Sequence, residues 1–172
     1  MTIYSLGKDT PQMHESAYAA DSATIIGNVH LSKDTSVWPQ AVLRGDYGVI
    51  RVGARTSVQD GAVLHTTPLT PTIVGDDVVI GHLAHLECCT VHDGALIGTG
   101  SIVLHRAVIE AGALVGAGAV VPNGMVVPSR AMALGVPAKI RPDSVDVADT
   151  LRNAAEYVRN GERFRRDLRR ID

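Results

Sequence analysis

The sequence predicts an all-β fold, a coil of short parallel strands closed by a C-terminal α-helix. Three observations lead there. Hydrophobic residues make up 45% of the 172 positions but aromatics only 3%. Compact globules ordinarily fill irregular space with Phe, Tyr and Trp, so a nearly pure aliphatic core fits a narrow, repeated cross-section. Seventeen glycines imply many tight corners. Finally, an aliphatic residue recurs at a spacing near six.

The repeat is clearest in the middle of the chain: Val74, Ile80, Leu86, then Val91, Ile97, Val103, Ile109, Val115 and Val121, with one five-residue step between Leu86 and Val91. Glycine often follows (Gly75, Gly81, Gly98, Gly116), and a second series of small residues recurs at Val78, Ala84, Ser101, Ala107, Ala113 and Ala119. Upstream, the same phase reads as Ala20, Ile26, Ser32 and Trp38, then in a new register as Val52, Val58 and Leu64. A period of six is neither the 3.6 of a helix nor the alternation of a long strand. It is the signature of a parallel β-helix of hexapeptide repeats. Aliphatics point inward, small residues fit the corners, and glycine relieves backbone strain there. Eighteen residues make one three-sided turn.

The stretch "TTPLTPT" (66–72), with two prolines and four threonines, breaks the period and reads as a loop projecting from a corner. Pro137 and Pro142 end the repeat, which gives a β-helix domain over 1–142 and a helical tail over 143–172. In the tail, Leu151, Ala155 and Val158 sit at helical spacing. Gly161 is expected to end that helix, with a second short one carrying Phe164 and Leu168. The basic run "RFRRDLRR" is balanced by acidic residues in the same tail and reads as a solvated face.

Net charge is -2, which gives no reason to expect nucleic acid or an anionic membrane as partner. No apolar run reaches the ~18–20 residues that span a bilayer, and "MTIYSLGKDT" lacks the pattern of a secretory signal. A cytoplasmic location is expected. Cys88 and Cys89 are adjacent, a geometry poor for a disulfide, and read as two buried thiols.

One segment, "IGHLAHLECC" (80–89), concentrates potential ligands. It belongs to an ordered set: "AVLRGD" (41–46), "SVQDGAVLH" (57–65), "VVIGH" (78–82) and "GVPAK" (135–139). Together these resemble the gamma-class carbonic anhydrase-like family, over roughly residues 12–142. "GVPAK" alone is less specific, because acyltransferases of similar fold end alike. The resemblance implies a left-handed coil, an exception to the usual crossover hand. It also implies a homotrimer with one metal at each interface, two ligands from one chain and one from its neighbour. Zn2+ is the expected ion, with Fe2+ or Co2+ possible.

The matching ligand positions are His65, His82 and the residue five after His82. In the family pattern "GHxxxLHGC" that residue is histidine; here Glu87 stands in its place. Two histidines and a carboxylate suit catalytic zinc and also iron(II). The alternative is His85 as third ligand, but two residues along a strand move a side chain by ~6–7 Å, so His85 needs a bulge to reach. His14, His30, His92 and His105 lie outside the motif and read as surface or structural residues. By the same resemblance, Arg44 and Asp46 pair across the trimer interface. Gln59 hydrogen-bonds metal-bound solvent, and Asp60 organises that network. Tyr47 stands where active members carry a glutamate, and 66–72 holds no acidic residue where they carry another. With an ordinary pKa near ~10, Tyr47 relays protons poorly at neutral pH.

The function implied is metal-dependent hydration or hydrolysis of CO2 or another small electrophile (an ester, thioester or amide), with weak or absent CO2 hydration. The alternatives are a coenzyme A-dependent acyltransferase using His82 or His85 as base, and a non-catalytic trimeric scaffold.

Overall fold

The computed structural model describes residues 2–68 and 70–172. Among the described residues, twenty short strands, most of two or three residues, wind into a left-handed solenoid of about seven turns, followed by a single C-terminal helix. Pairing is parallel between successive turns, and its register states the repeat directly. Leu96 lies against Leu114 and Leu114 against Met132; Val108 lies against Val126. Each is a step of eighteen residues. The turn holding the five-residue step is one shorter, with His85 against Ile102.

The interior is a ladder of aliphatics. All nine positions from Val74 to Val121 are buried, as are Val78, Ala84, Ser101, Ala107, Ala113 and Ala119. No aromatic side chain belongs to that core cluster. A three-sided coil with two or three residues per side leaves room for one β-branched residue or leucine per side and little else.

Upstream, the inward register differs from the sequence reading by one residue. Ile25, Leu31, Val37 and Leu43 are the buried positions six apart, whereas Ile26 is partly exposed and Ser32 exposed. Two long strands, Thr24–Leu31 and Val42–Val52, bend around a corner here. Their pairing shifts between Gly27 and Val29. The extra residues lie in Val42–Val52, after Leu43, so the spacing of six holds through Ile25–Leu43 and the difference is only in which of two neighbouring positions turns inward.

The glycines after the aliphatics also serve a purpose other than the expected one. Gly81 and Gly98 have no left-handed φ. A Cβ on Gly98 would lie 2.5 Å from the backbone N of Ala117 in the next turn. Close stacking of turns, not backbone strain, demands glycine there.

The 66–72 stretch is more compact than a projecting loop. Thr67 bridges Thr70, Thr66 and Thr72 are buried, and Thr72 begins the strand Thr72–Val74. Leu69, part of that expected loop, lies outside the described residues. The coil closes with strand Lys139–Arg141, antiparallel to Met132–Leu134.

One helix, Val147–Asp167, follows. The Asp146 side chain caps it by accepting from the Ala148 N–H at 3.0 Å. It runs unbroken through Gly161 and contains Phe164, with Leu168 as its C-terminal cap. Gly161 is buried and faces Ser36 and Tyr18, so burial of this face sustains the helix across the glycine. The inward face is Thr150, Ala154, Tyr157, Val158, Gly161 and Phe164, whereas Leu151 and Ala155 are exposed. Small residues on this stripe let the helix approach the flat side of the coil closely. Between helix and coil sit Tyr18, Trp38, Tyr157 and Phe164, with Trp38 at 5.8 Å from Tyr157 and 5.0 Å from Phe164. The Trp38 indole N–H donates to Ser36 and Ser57.

Candidate metal centre

The site residues stack because the coil stacks. Arg44, His65 and Glu87 are register partners on three successive strands, Val42–Val52, Val63–His65 and His85–Glu87. Each follows an inward residue (Leu43, Leu64, Leu86), so alternation turns all three outward on one side of the solenoid.

His65 is held between two carboxylates. Its Nδ1 lies 2.9 Å from Glu87 Oε1 and its Nε2 lies 3.0 Å from Asp46 Oδ1. Asp46 also pairs through Oδ2 with Arg44. A neutral imidazole carries one N–H and cannot donate to both carboxylates. The second position needs a positive charge, a proton or a metal ion. The donor set therefore fits a divalent cation beside His65 and Glu87, with Asp46 accepting the other ring N–H, as carboxylates do behind metal-bound histidines.

Of the two candidates for the third position, Glu87 is the one that touches His65. His85 Nε2 is 3.3 Å from Glu87 Oε2, the far oxygen. His105, set outside the motif by the sequence reading, lies beside the site with its Nε2 3.6 Å from the same oxygen. Burial pushes the Glu87 carboxyl up. The hydrogen bonds from His65 and His85, with the nearby charge of His105, outweigh this and leave it below the usual carboxylate value.

His82 stands apart, at the corner before strand His85–Glu87, with Nδ1 2.9 Å from Asp60. His82 and Leu83 form the turn there, with Leu83 at φ +58°, and only the residues from His85 onward are extended. Among the described residues of a single chain, no group of three or more His, Cys, Asp or Glu is arranged to hold a metal ion.

Gln59 is buried at the coil surface under the helix. Its side chain hydrogen-bonds Tyr157, a residue that the sequence reading missed. Burial and then the charge of Asp60 raise the Tyr157 hydroxyl, with the Gln59 bond opposing them. The only sequence signal for Tyr157 is an aromatic seven residues before Phe164 in an otherwise charged tail. Tyr47 remains largely exposed, away from these contacts. His14 and His30 bond local partners, Ser16 and Asn28. Cys88 and Cys89 are free and buried.

No family model matches the chain. A carbonic anhydrase of Geobacillus kaustophilus is 46% identical over 165 residues, 95% of this chain and 91% of that protein. The chain belongs to the gamma-class carbonic anhydrase family. Protein YrdA of Escherichia coli is 39% identical over 158 residues, covering 87% and 86% of the two chains. Among solved structures, a Bacillus cereus protein superposes with a TM-score of 0.93 at 38% identity, covering 95% of this chain and 96% of that one. A hexapeptide transferase family protein from Anaplasma phagocytophilum superposes with a TM-score of 0.90 at 34% identity, covering 94% and 96%.

This gamma carbonic anhydrase-like chain departs from the resembled pattern at the third ligand position. Glu87 replaces the histidine and Cys88 the glycine of "GHxxxLHGC". Both fall in the one shortened turn of the repeat.

Proposed function

We propose that this protein is a homotrimer, with a divalent metal held by His65 and Glu87 of one copy and His82 of its neighbour, that adds water to a small electrophile. The observation that carries the reading is His65 bracketed by Glu87 and Asp46 at 2.9 and 3.0 Å. The separation of His82 from that pair supports a neighbouring copy as the source of the third ligand, because one copy cannot bring all three to a single ion.

A zinc, iron or cobalt ion there supplies Lewis acidity, lowering the pKa of water and stabilising negative charge on oxygen. The chain's residues do the rest. Asp46, anchored by Arg44, accepts the His65 Nε2 hydrogen and fixes the ring with Nδ1 toward Glu87. Asp60 holds His82 by Nδ1, leaving Nε2 as the ligand atom. Gln59, pinned by Tyr157, presents its amide to orient the attacking water, and Asp60 beside it accepts a proton.

CO2 is one candidate electrophile, with esters, thioesters and amides the others. Weak CO2 hydration follows from Tyr47 in place of a glutamate and from the acid-free 66–72 segment. The negative charge of Glu87 works in the same direction, lessening the metal's power to acidify water. The test is elemental analysis of untagged, chelator-free protein, with mass from light scattering. Close to one metal per chain is expected, and Glu87→Ala should abolish it. No uptake even from added zinc refutes the mechanism. Efficient CO2 hydration by the trimer at neutral pH refutes the activity assignment.

The second reading, a coenzyme A-dependent acyltransferase, is favoured by the hexapeptide transferase neighbour. Measurable acetyl-CoA binding by calorimetry supports it, and none is expected.

A further inference from the structure

The two oxygens of Glu87 face different groups. Oε1 lies 2.9 Å from His65. Oε2 faces the opposite way, 3.3 Å from His85 Nε2 and 3.6 Å from His105 Nε2. We propose that His85 and His105 are positioning residues that hold Oε2 and so make Glu87 present a single oxygen, Oε1, to a metal beside His65. This inference rests on the metal reading above and goes beyond it. It assigns a role to two histidines outside the ligand set, one of them from the next turn of the coil.

The reasoning starts from what a glutamate does in place of a histidine. An imidazole offers one nitrogen to a metal and its ring is stiff. A carboxylate offers two oxygens on a flexible stem, and can bind through one or both. Binding through both would fill an extra position at the ion and reduce the space left for water. Engaging the second oxygen elsewhere restores one-atom ligation. Here the neighbours of that oxygen are fixed by the coil. His85 shares the strand of Glu87, two residues away on the same side. His105 lies at the corner after strand Ile102–Val103, the turn stacked on His85–Glu87. Both rings are about two-thirds covered, with side-chain exposures of 35% and 33%. Donation from His85 at 3.3 Å also ties up a lone pair that would otherwise compete for the ion, and His105 at 3.6 Å flanks the same oxygen. Groups that hydrogen-bond a metal ligand in this way are worth about 10–100-fold in affinity.

The test uses cobalt(II) as probe on the full-length protein, with affinity read by chelator competition and coordination by visible absorption. His85→Ala/His105→Ala should weaken cobalt binding by about 10–100-fold. It should also shift the spectrum from the intense bands of four-coordinate cobalt to the weak ones of higher coordination. His85→Gln/His105→Gln, which restores an N–H donor at each position, should recover both. Scattering mass reports whether each variant still assembles. Unchanged affinity and spectrum in the alanine variant overturn the inference, as does a loss that glutamine fails to recover. Glu87→Ala is the control that separates the two ideas. If wild type takes up no cobalt, or Glu87→Ala retains it, the metal reading falls and this inference with it. If those controls behave and only the alanine and glutamine results disagree, the inference alone falls.

Discussion

Replacing Cys88 by glycine sets backbone preference against side-chain contact. Cys88 has φ +54°, the left-handed region, at the step where the family pattern carries glycine. An L-residue loses about 1–2 kcal/mol there, partly offset by glycine's greater freedom in the unfolded chain, so the backbone alone favours glycine by about 0.5–1 kcal/mol. The thiol opposes this. Cys88 Sγ is buried and accepts from the Thr67 backbone N–H at 3.1 Å, with Thr67 Oγ1 also at 3.1 Å. Leaving that N–H without a partner costs about 1–3 kcal/mol. The balance predicts that Cys88→Gly destabilises the protein by roughly 0.5–2 kcal/mol, with faster amide exchange at Thr67. Serine keeps an acceptor on the same strained backbone and should lose less than glycine. Urea unfolding at one fixed protein concentration measures the difference. A glycine variant as stable as wild type would refute the reasoning, because it would mean the sulfur contact contributes nothing.

Two glycine-to-alanine changes should have opposite signs. At Gly161 a Cβ would sit 3.7 Å from Ser36 and Tyr18, ordinary contact, so Gly161→Ala should stabilise by about 0.5–1 kcal/mol through helix propensity, a rise of about 1–4 °C in Tm. At Gly98 the new Cβ meets Ala117 backbone at 2.5 Å, and Gly98→Ala should destabilise by about 1–3 kcal/mol. Equal Tm shifts in thermal scans would count against the stacking argument. Burial pushes the Cys89 thiol up to about 12 from 9.0. Its thiolate forms first in the unfolded chain, so the stability tied to this group is intact below pH 9 and is lost as pH rises from 9 to about 12. Denaturation midpoints of wild type and Cys89→Ala across that window should diverge in slope, and parallel curves would exclude the effect. In the folded protein neither thiol should react with a disulfide reagent at pH 8, while denaturant should expose both.

The aliphatic ladder from Val74 to Val121 was legible in the sequence because each hexapeptide contacts only its own turn and the next, so local period and buried position coincide. The ligand candidates were legible because His65, His82 and Glu87 lie in a conspicuous motif. Other features were not legible. The inward register at Ile25–Leu43 keeps the spacing of six, but spacing alone does not say which of two neighbours, such as Ile25 and Ile26, turns inward. The helix continues through Gly161 because its inner face is covered by Tyr18, Trp38 and the coil, a gain that propensity cannot count. His105 reaches Glu87, and Tyr157 reaches Gln59, only because the coil and the returning helix bring positions 18 and 98 residues apart into contact. The sequence by itself determined the period, hence the solenoid, whereas the structure decided that Arg44, His65 and Glu87 stack in one column, because they are 21 and 22 residues apart and not the 18 of the repeat. The tertiary structure decided which groups surround each oxygen and nitrogen of that column, because such contacts depend on how neighbouring turns and the helix are placed, and a repeat reads the same whatever stands beside it.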